Sequence, residues 1–300
     1  MTAQLCNDTI DALLEAYPIF RSETLTTSAF GRPVRTLVIG NGDRKVIYSA
    51  SHHANEWITT PVLLKFAEDL AQAVTEGGTL YGVKAENILN AATLHLVPMV
   101  DPDGVDLVTG AIPVGTLEYE TARRYADNYP DIPFPDGWKA NLLGVDLNLQ
   151  YPAGWLQARE IKFSQGFTRP GPRDYVGRAP LNQRESIALA RYTEAIDPAL
   201  VLAYHTQGKV IYWQFQDYDV PGARALAEEF ARLSGYALED VPYASGFAGY
   251  KDWFIQNFRR PGFTIEAGSG ENPLPLDQFD EIYRDNLGIL VTAALGLPGE

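Results

Sequence analysis

His53 and Glu56 stand three residues apart in Ser51-His52-His53-Ala54-Asn55-Glu56-Trp57. A turn or a helix start brings such a pair onto one side, where a neutral imidazole nitrogen and an anionic oxygen suit zinc. The pair alone is weak, because a histidine at a strand end is more often a hydrogen-bonded core residue. The chain has four histidines, and His205 ends the apolar run Ala199-Leu200-Val201-Leu202-Ala203-Tyr204. Two histidines and one glutamate leave a coordination position for water, as a catalytic zinc requires. His95 alternates with Leu94 and Leu96 and reads as strand core. His52 has the opposite parity from His53, which gives it a place behind the ligands or on the surface.

A fourth group completes the constellation. Phe263-Thr264-Ile265-Glu266-Ala267-Gly268 sets a carboxylate in an apolar strand. Left unpaired it would be unfavourable there, so it faces a metal, a partner or a cleft. One alternative is a salt bridge to Arg259 or Arg260. Beside metal-activated water, Glu266 would accept the nucleophile's proton and later donate to the leaving amine.

The elements around these residues decide whether they can meet. Residues 45–50 predict a strand, followed by a helical stripe of Val62, Leu63, Phe66, Leu70 and Val74 with Pro61 near its first turn. His53 and Glu56 thus lie between a strand end and a helix start. Residues 34–39 precede that strand across Gly40-Asn41-Gly42-Asp43, which reads as a hairpin. Residues 92–100 predict a buried strand closed by a turn at Asp101-Pro102-Asp103-Gly104. Residues 105–138, rich in Pro, Gly and Tyr, read as a long surface excursion. Short strands are expected at 143–147, 200–204 and 263–266, and helices at about 182–195, 220–233 and 276–295. The opening segment predicts an amphipathic helix with Ile10, Leu13 and Leu14 on one face and Asn7, Asp8 or Thr9 as cap. The expected fold is α/β: a single domain, residues 1–300, with a mixed, mostly parallel twisted sheet covered by helices on both faces. Strand ends in such a sheet form the crevice where ligands bind, so His53 and His205 can converge there.

Bulk properties narrow the function. Three hundred residues with 46% apolar content can bury one large core. A net charge of -14 repels nucleic acid phosphates and anionic membranes, so neither is an expected partner. Cys6 is the only cysteine and forms no internal disulfide. The first residues carry Asp8, Asp11 and Glu15 where a secretion signal has a basic start and an apolar run, so a cytoplasmic location is expected.

The order of these words resembles the zinc carboxypeptidase family over nearly the whole chain. The matching words are His53-x-x-Glu56, Pro102-Asp103-Gly104, Gly144-Val145-Asp146-Leu147-Asn148, His205, Tyr243 upstream of Asp252-Trp253, and Phe263-Thr264-Ile265-Glu266. The resemblance implies one zinc ion held by His53, Glu56 and His205, with Glu266 as general base. Lys139, in Trp138-Lys139-Ala140-Asn141, falls where the family usually has an oxyanion-stabilising Arg; a Lys supplies the charge without the bidentate fork. Asn148 and Tyr243 match substrate-binding positions, Tyr243 with one extra residue before Asp252-Trp253.

Departures from the family pattern point to the substrate. The digestive carboxypeptidases read Asn-Arg-Asn where this chain reads Asn148-Leu149-Gln150, and the missing Arg normally grips a peptide's terminal carboxylate. Residues 146–152, His205-Thr206-Gln207-Gly208 and residues 138–141 resemble the bacterial gamma-D-glutamyl-diamino acid peptidases. Lys251 falls at the floor of the pocket that receives the residue after the cut, where it would pair with a carboxylate of diaminopimelate. Its removal is expected to raise KM for diaminopimelate peptides. The leading expectation is a metallopeptidase on murein peptides, cleaving the gamma-D-glutamyl bond to meso-diaminopimelate or lysine. A carboxypeptidase or amidase on ordinary peptides is the second reading, with Arg169, Arg173 or Arg178 holding a terminal carboxylate. A catalytically inactive zinc-binding protein of the same fold is the third; the complete set of ligands and Glu266 speaks against it.

Overall fold

The computed structural model describes residues 1–297. Helix α1 (Ala3–Ala16) leads into a ribbon of β1 (Thr24–Thr27) and β2 (Pro33–Arg35), then β3 (Leu37–Gly40) and β4 (Arg44–Ser49). Helix α2 (Thr59–Thr75), a second ribbon of β5 (Thr79–Leu80) and β6 (Val83–Lys84), and α3 (Ala85–Ala91) return the chain to β7 (Ala92–Val97). Helices α4 (Pro102–Val108), α5 (Leu117–Ala126), α6 (Trp155–Ser164) and α7 (Arg184–Ile196) precede β8 (Leu200–His205). The chain continues through β9 (Val210–Tyr212), α8 (Ala223–Ser234), β10 (Ala237–Leu238), α9 (Tyr250–Phe258), β11 (Gly262–Glu266) and α10 (Phe279–Leu295).

Seven strands form one sheet in the order β10-β9-β11-β8-β4-β7-β3. The central four, β11, β8, β4 and β7, run parallel, while β3 and β9 pair antiparallel with β7 and β11. Alternation along each strand feeds two cores, as a pleat with period two requires. Val46, Tyr48, Leu200, Leu202, Tyr204, Phe263 and Ile265 pack with residues of α1, α2, α3, α8 and α10. Ile47, Val201 and Ala203 turn the other way, onto α7 and α9. The expected mixed sheet with helices on both faces is what the chain builds. No helix among the described residues is long and apolar enough to cross a membrane.

Several local expectations are corrected. β3 and β4 do not pair as a hairpin, because β7 lies between them. The Gly40–Asp43 segment instead wraps the end of α3, where Asn41 and Gly42 N–H donate to Leu89 O. A Cβ on Gly42 would come within 2.4 Å of the Ala91–Ala92 backbone. The glycine there serves a close approach of two segments of the chain rather than a tight turn. Helix α1 starts earlier than predicted and is capped by the Thr2 hydroxyl. Asp101-Pro102-Asp103-Gly104 starts α4, with Asp101 as its cap, instead of closing a turn. The segment 105–138 is no mere surface excursion: α5 crosses it, and Ala122, Ala126 and Trp138 join Ala54, Leu107 and Leu142 in a small core of their own. Residues 143–147 make no strand; a 3-10 turn follows at Leu147–Leu149.

Candidate metal centre and active site

Parallel pairing brings the chemistry together. β4, β8 and β11 end on the same edge of the sheet, and Glu266 is the register partner of His205. One strand further, Ser49 pairs with Ala203, and the chain then turns toward His53. Ser51 adopts a left-handed backbone (φ 49°) and is held by its own N–H to Thr59 Oγ1 at 3.0 Å. That turn delivers His53 and a single 3-10 turn, Ala54–Glu56, back across the strand ends.

His53, Glu56 and His205 are buried and aim one donor atom each at a common point, all within 4.8 Å of one another. His53 Nδ1 lies 2.9 Å from Glu56 Oε1, His205 Nδ1 2.8 Å from Glu56 Oε2, and the two Nδ1 atoms are 3.2 Å apart. Donors bonded to a tetrahedral zinc are about 3.4 Å apart at the usual bond lengths. The set therefore fits zinc in both chemistry and spacing, and leaves the open position of a catalytic site. His53 Nε2 meets Asp146 Oδ1 at 3.1 Å, a carboxylate behind the imidazole that orients it and fixes its tautomer. His52 is fully buried and stacks on His205, with ring centroids 5.6 Å apart, so its place is behind the ligands and not on the surface.

Charge is concentrated around the donors. Burial would raise the Glu56 carboxyl, but His53, Lys139 and His205 hold it well below its ordinary range. Lys139 Nζ lies 3.0 Å from Glu56 Oε1. Glu266 behaves in the opposite way: burial first, and then the like charge of Glu56, push it up to about 8. Positive charge held by the three donors would bring it back down. The salt-bridge alternative for Glu266 fails, since Arg260 pairs with Asp197 at 2.7 Å and Arg259 lies over the Tyr218 ring.

One cleft collects most of the remaining candidates. Lys139, Asn148, Leu149, Lys251 and Glu266 all line it with His53 and His205. Asn148 Oδ1 accepts from Tyr250 N at 3.0 Å, tying the wall of the cleft to the start of α9. Leu149, which stands in place of the Arg of the digestive carboxypeptidases, is buried. Lys251 is only 4% exposed, and its ammonium pairs with Asp252 Oδ1 at 2.6 Å and donates to Gln214 O. Tyr243 is not brought in: it is 74% exposed, edge-on to Phe247, and lines a separate outer depression. Of the three arginines, Arg173 lines the cleft, while Arg169 and Arg178 are exposed away from it.

Sequence reasoning missed Lys162 and Asp174, which also line the cleft and pair at 2.6 Å. A lysine on a mixed helix carries no sign of burial in its neighbours. Asp146 stood inside a matching motif without a role; its position two residues before Asn148 was the available signal.

A family model described as zinc carboxypeptidase matches residues 6–288. The gamma-D-glutamyl-L-diamino acid endopeptidase 1 of Lysinibacillus sphaericus is 46% identical over 96% of this chain and 70% of its own length. Among solved structures, the carboxypeptidase A of Helicoverpa armigera superposes with a TM-score of 0.76 at 19% identity, covering all of this chain and 75% of that one. The murein-tripeptide amidase of Escherichia coli O157 gives a TM-score of 0.55 at 18% identity over 93% of each chain. With the His53, Glu56 and His205 donors assembled at the strand ends of this sheet, the chain belongs to the zinc carboxypeptidase family and is a zinc metallopeptidase.

Proposed function

We propose that the chain hydrolyses the amide bond between a gamma-D-glutamyl residue and the diamino acid that follows it in peptidoglycan peptides. The observation that carries this reading is the pocket wall itself. Leu149 stands where a carboxypeptidase grips a terminal carboxylate, and the buried Lys251–Asp252 pair offers both charges to a zwitterionic side chain. A diamino acid such as meso-diaminopimelate carries an ammonium and a carboxylate on its far carbon, which matches that pair. The relative from Lysinibacillus sphaericus, named for the same bond, supports the reading.

The residues divide the work as follows. Zinc, when bound, activates water and polarises the scissile carbonyl. Glu266, at the end of β11, takes the proton from the attacking water and returns one to the leaving nitrogen. Lys139 supplies positive charge where negative charge develops on the carbonyl oxygen. Asp146 keeps Nδ1 of His53 free for the metal by accepting from Nε2. Asn148 and Leu149 shape the side of the cleft that receives the leaving residue.

Mass analysis of two digests tests the proposal: a muropeptide carrying gamma-D-glutamyl-meso-diaminopimelate, and a simple peptide with a free C-terminus. The expected product is the fragment released at the gamma-D-glutamyl bond. Removal of single C-terminal residues from the simple peptide, with the muropeptide intact, would favour the carboxypeptidase reading instead.

A further inference from the structure

The cleft has two lobes that meet at the reacting centre. One runs past Leu149 and Lys251, and the other past Asn55, Gln207 and Asn272. Lys139, Tyr212, Glu266 and Arg173 line both. On the reading above, the lobe with Lys251 takes the leaving residue, so the second lobe takes the acyl residue. Arg173 stands at the boundary of the two lobes, with Lys139 and Glu266.

Its presentation is specific. Arg173 Nε donates to Asp174 Oδ2 at 2.8 Å, and no other partner holds its two terminal nitrogens among the described residues. Asp174 Oδ1 is taken by the Lys162 ammonium at 2.6 Å, and the Lys162 side chain is only 8% exposed. The Asp174 N–H donates to Asp146 Oδ2 at 3.3 Å, on the same carboxylate that orients His53. Asp174 holds a left-handed backbone, φ 64°, a conformation that is unfavourable for a non-glycine residue and marks a constrained turn. Asp174 is shared between the Lys162 and Arg173 cations. The free face of Arg173 is the planar fork of a guanidinium, which suits a carboxylate.

Unlike an ordinary acyl residue, a gamma-linked D-glutamyl residue carries a free alpha-carboxylate a few carbons from the scissile carbonyl. We propose that Arg173, positioned by Asp174 and Lys162, binds this acyl-side carboxylate and makes the enzyme prefer gamma-D-glutamyl over gamma-D-isoglutaminyl substrates. This rests on the reading in the previous subsection and adds to it a determinant on the opposite side of the bond from Lys251.

The test compares two tripeptides, L-alanyl-gamma-D-glutamyl-meso-diaminopimelate and the same peptide with the D-glutamyl alpha-carboxylate as its carboxamide. The zinc-loaded wild type should favour the carboxylate in kcat/KM by roughly ten- to hundredfold, the range of one charged bidentate contact. Arg173→Met should bring that ratio to near one, mainly through KM for the carboxylate peptide, and Arg173→Lys should keep part of it. Asp174→Asn should lower the ratio as well, through misplacement of the guanidinium. A ratio unchanged in Arg173→Met, or equal losses on both peptides, would overturn the proposal while leaving the cleaved bond as assigned. A wild type that cleaves neither peptide would remove the substrate reading and this proposal together.

Discussion

A neutral histidine offers zinc only the nitrogen that carries no proton, and Asp146 decides which nitrogen that is. Its Oδ1 lies 3.1 Å from His53 Nε2, and its Oδ2 accepts from the Asp174 N–H. Asp146→Asn keeps the shape but can present an amide N–H to Nε2, which favours the wrong tautomer. Zinc affinity is expected to fall about 10- to 100-fold, read by competition with a chromogenic chelator. Glu266→Gln separates binding from chemistry: zinc content should equal wild type while kcat falls by roughly 10²–10⁴. Turnover at the wild-type rate would remove Glu266 from the mechanism. Glu266 was legible in the sequence for a physical reason: a carboxylate at the end of an apolar strand needs a metal, a partner or a cleft. Lys162 and Asp174 were not legible, because a lysine on a helix of weak amphipathicity looks solvated until a neighbour 12 positions away arrives to pair with it. Tyr243 shows the reverse failure, since a motif match places a residue in sequence but does not turn its side chain inward.

At the scale of elements, the central strands were readable from their apolar runs, and the sheet order was not. Whether residues 34–39 and 45–50 pair with each other or with a third strand depends on contacts of β7, about fifty positions away. The Pro102-Asp103-Gly104 word likewise matched the family without revealing its purpose. Asp103 binds Ser28 Oγ at 2.7 Å and Arg32 Nη1 at 2.8 Å, so α4 is anchored to the loop before β2. Gly104 then lets α4 press against the metal-binding turn: a Cβ there would stand 2.7 Å from Ala54 Cβ and 2.6 Å from Ala140 O. Both neighbours are fixed, Ala54 between the ligands and Ala140 beside Lys139. Gly104→Ala must therefore displace backbone, with an expected loss of about 1–3 kcal/mol. The zinc-free protein should melt earlier, and zinc affinity should drop in the same variant, because the helix and the ligand turn share one contact. A lowered melting temperature with wild-type zinc affinity would show that α4 supports the fold but not the metal site.

Across the whole molecule, stability is set partly by carboxyl groups that the fold buries away from the cleft. Asp101, Asp103 and Glu185 lie together beneath the metal loop, and burial raises all three. Glu185 is 2% exposed and moves from 4.5 to about 7, with burial first and Asp103 adding to it, against hydrogen bonds from its own backbone and Asn141 and the charge of Arg184. It sits in the first turn of α7, where the helix dipole favours an anion by about 0.3–1 kcal/mol. The rise to about 7 corresponds to roughly 3 kcal/mol in the other direction, so burial wins. The sign follows from proton binding. Between pH 4.5 and 7 the folded state holds a proton that the unfolded state releases, so this group's contribution falls as pH rises through that window and stays low above it. Asp101 Oδ2 and Glu185 Oε1 are both buried without a hydrogen-bond partner, so a neutral amide with an N–H to offer suits the place better than a second anion. Glu185→Gln is expected to match wild type near pH 4.5 and to exceed it at pH 8 by about 2–3 kcal/mol, or roughly 3–5 °C in melting temperature for a chain of this size. Thermal melts of both proteins from pH 4.5 to 8 read the effect as a widening gap, and a gap that stays constant across that range would mean Glu185 keeps its ordinary pKa in the folded chain.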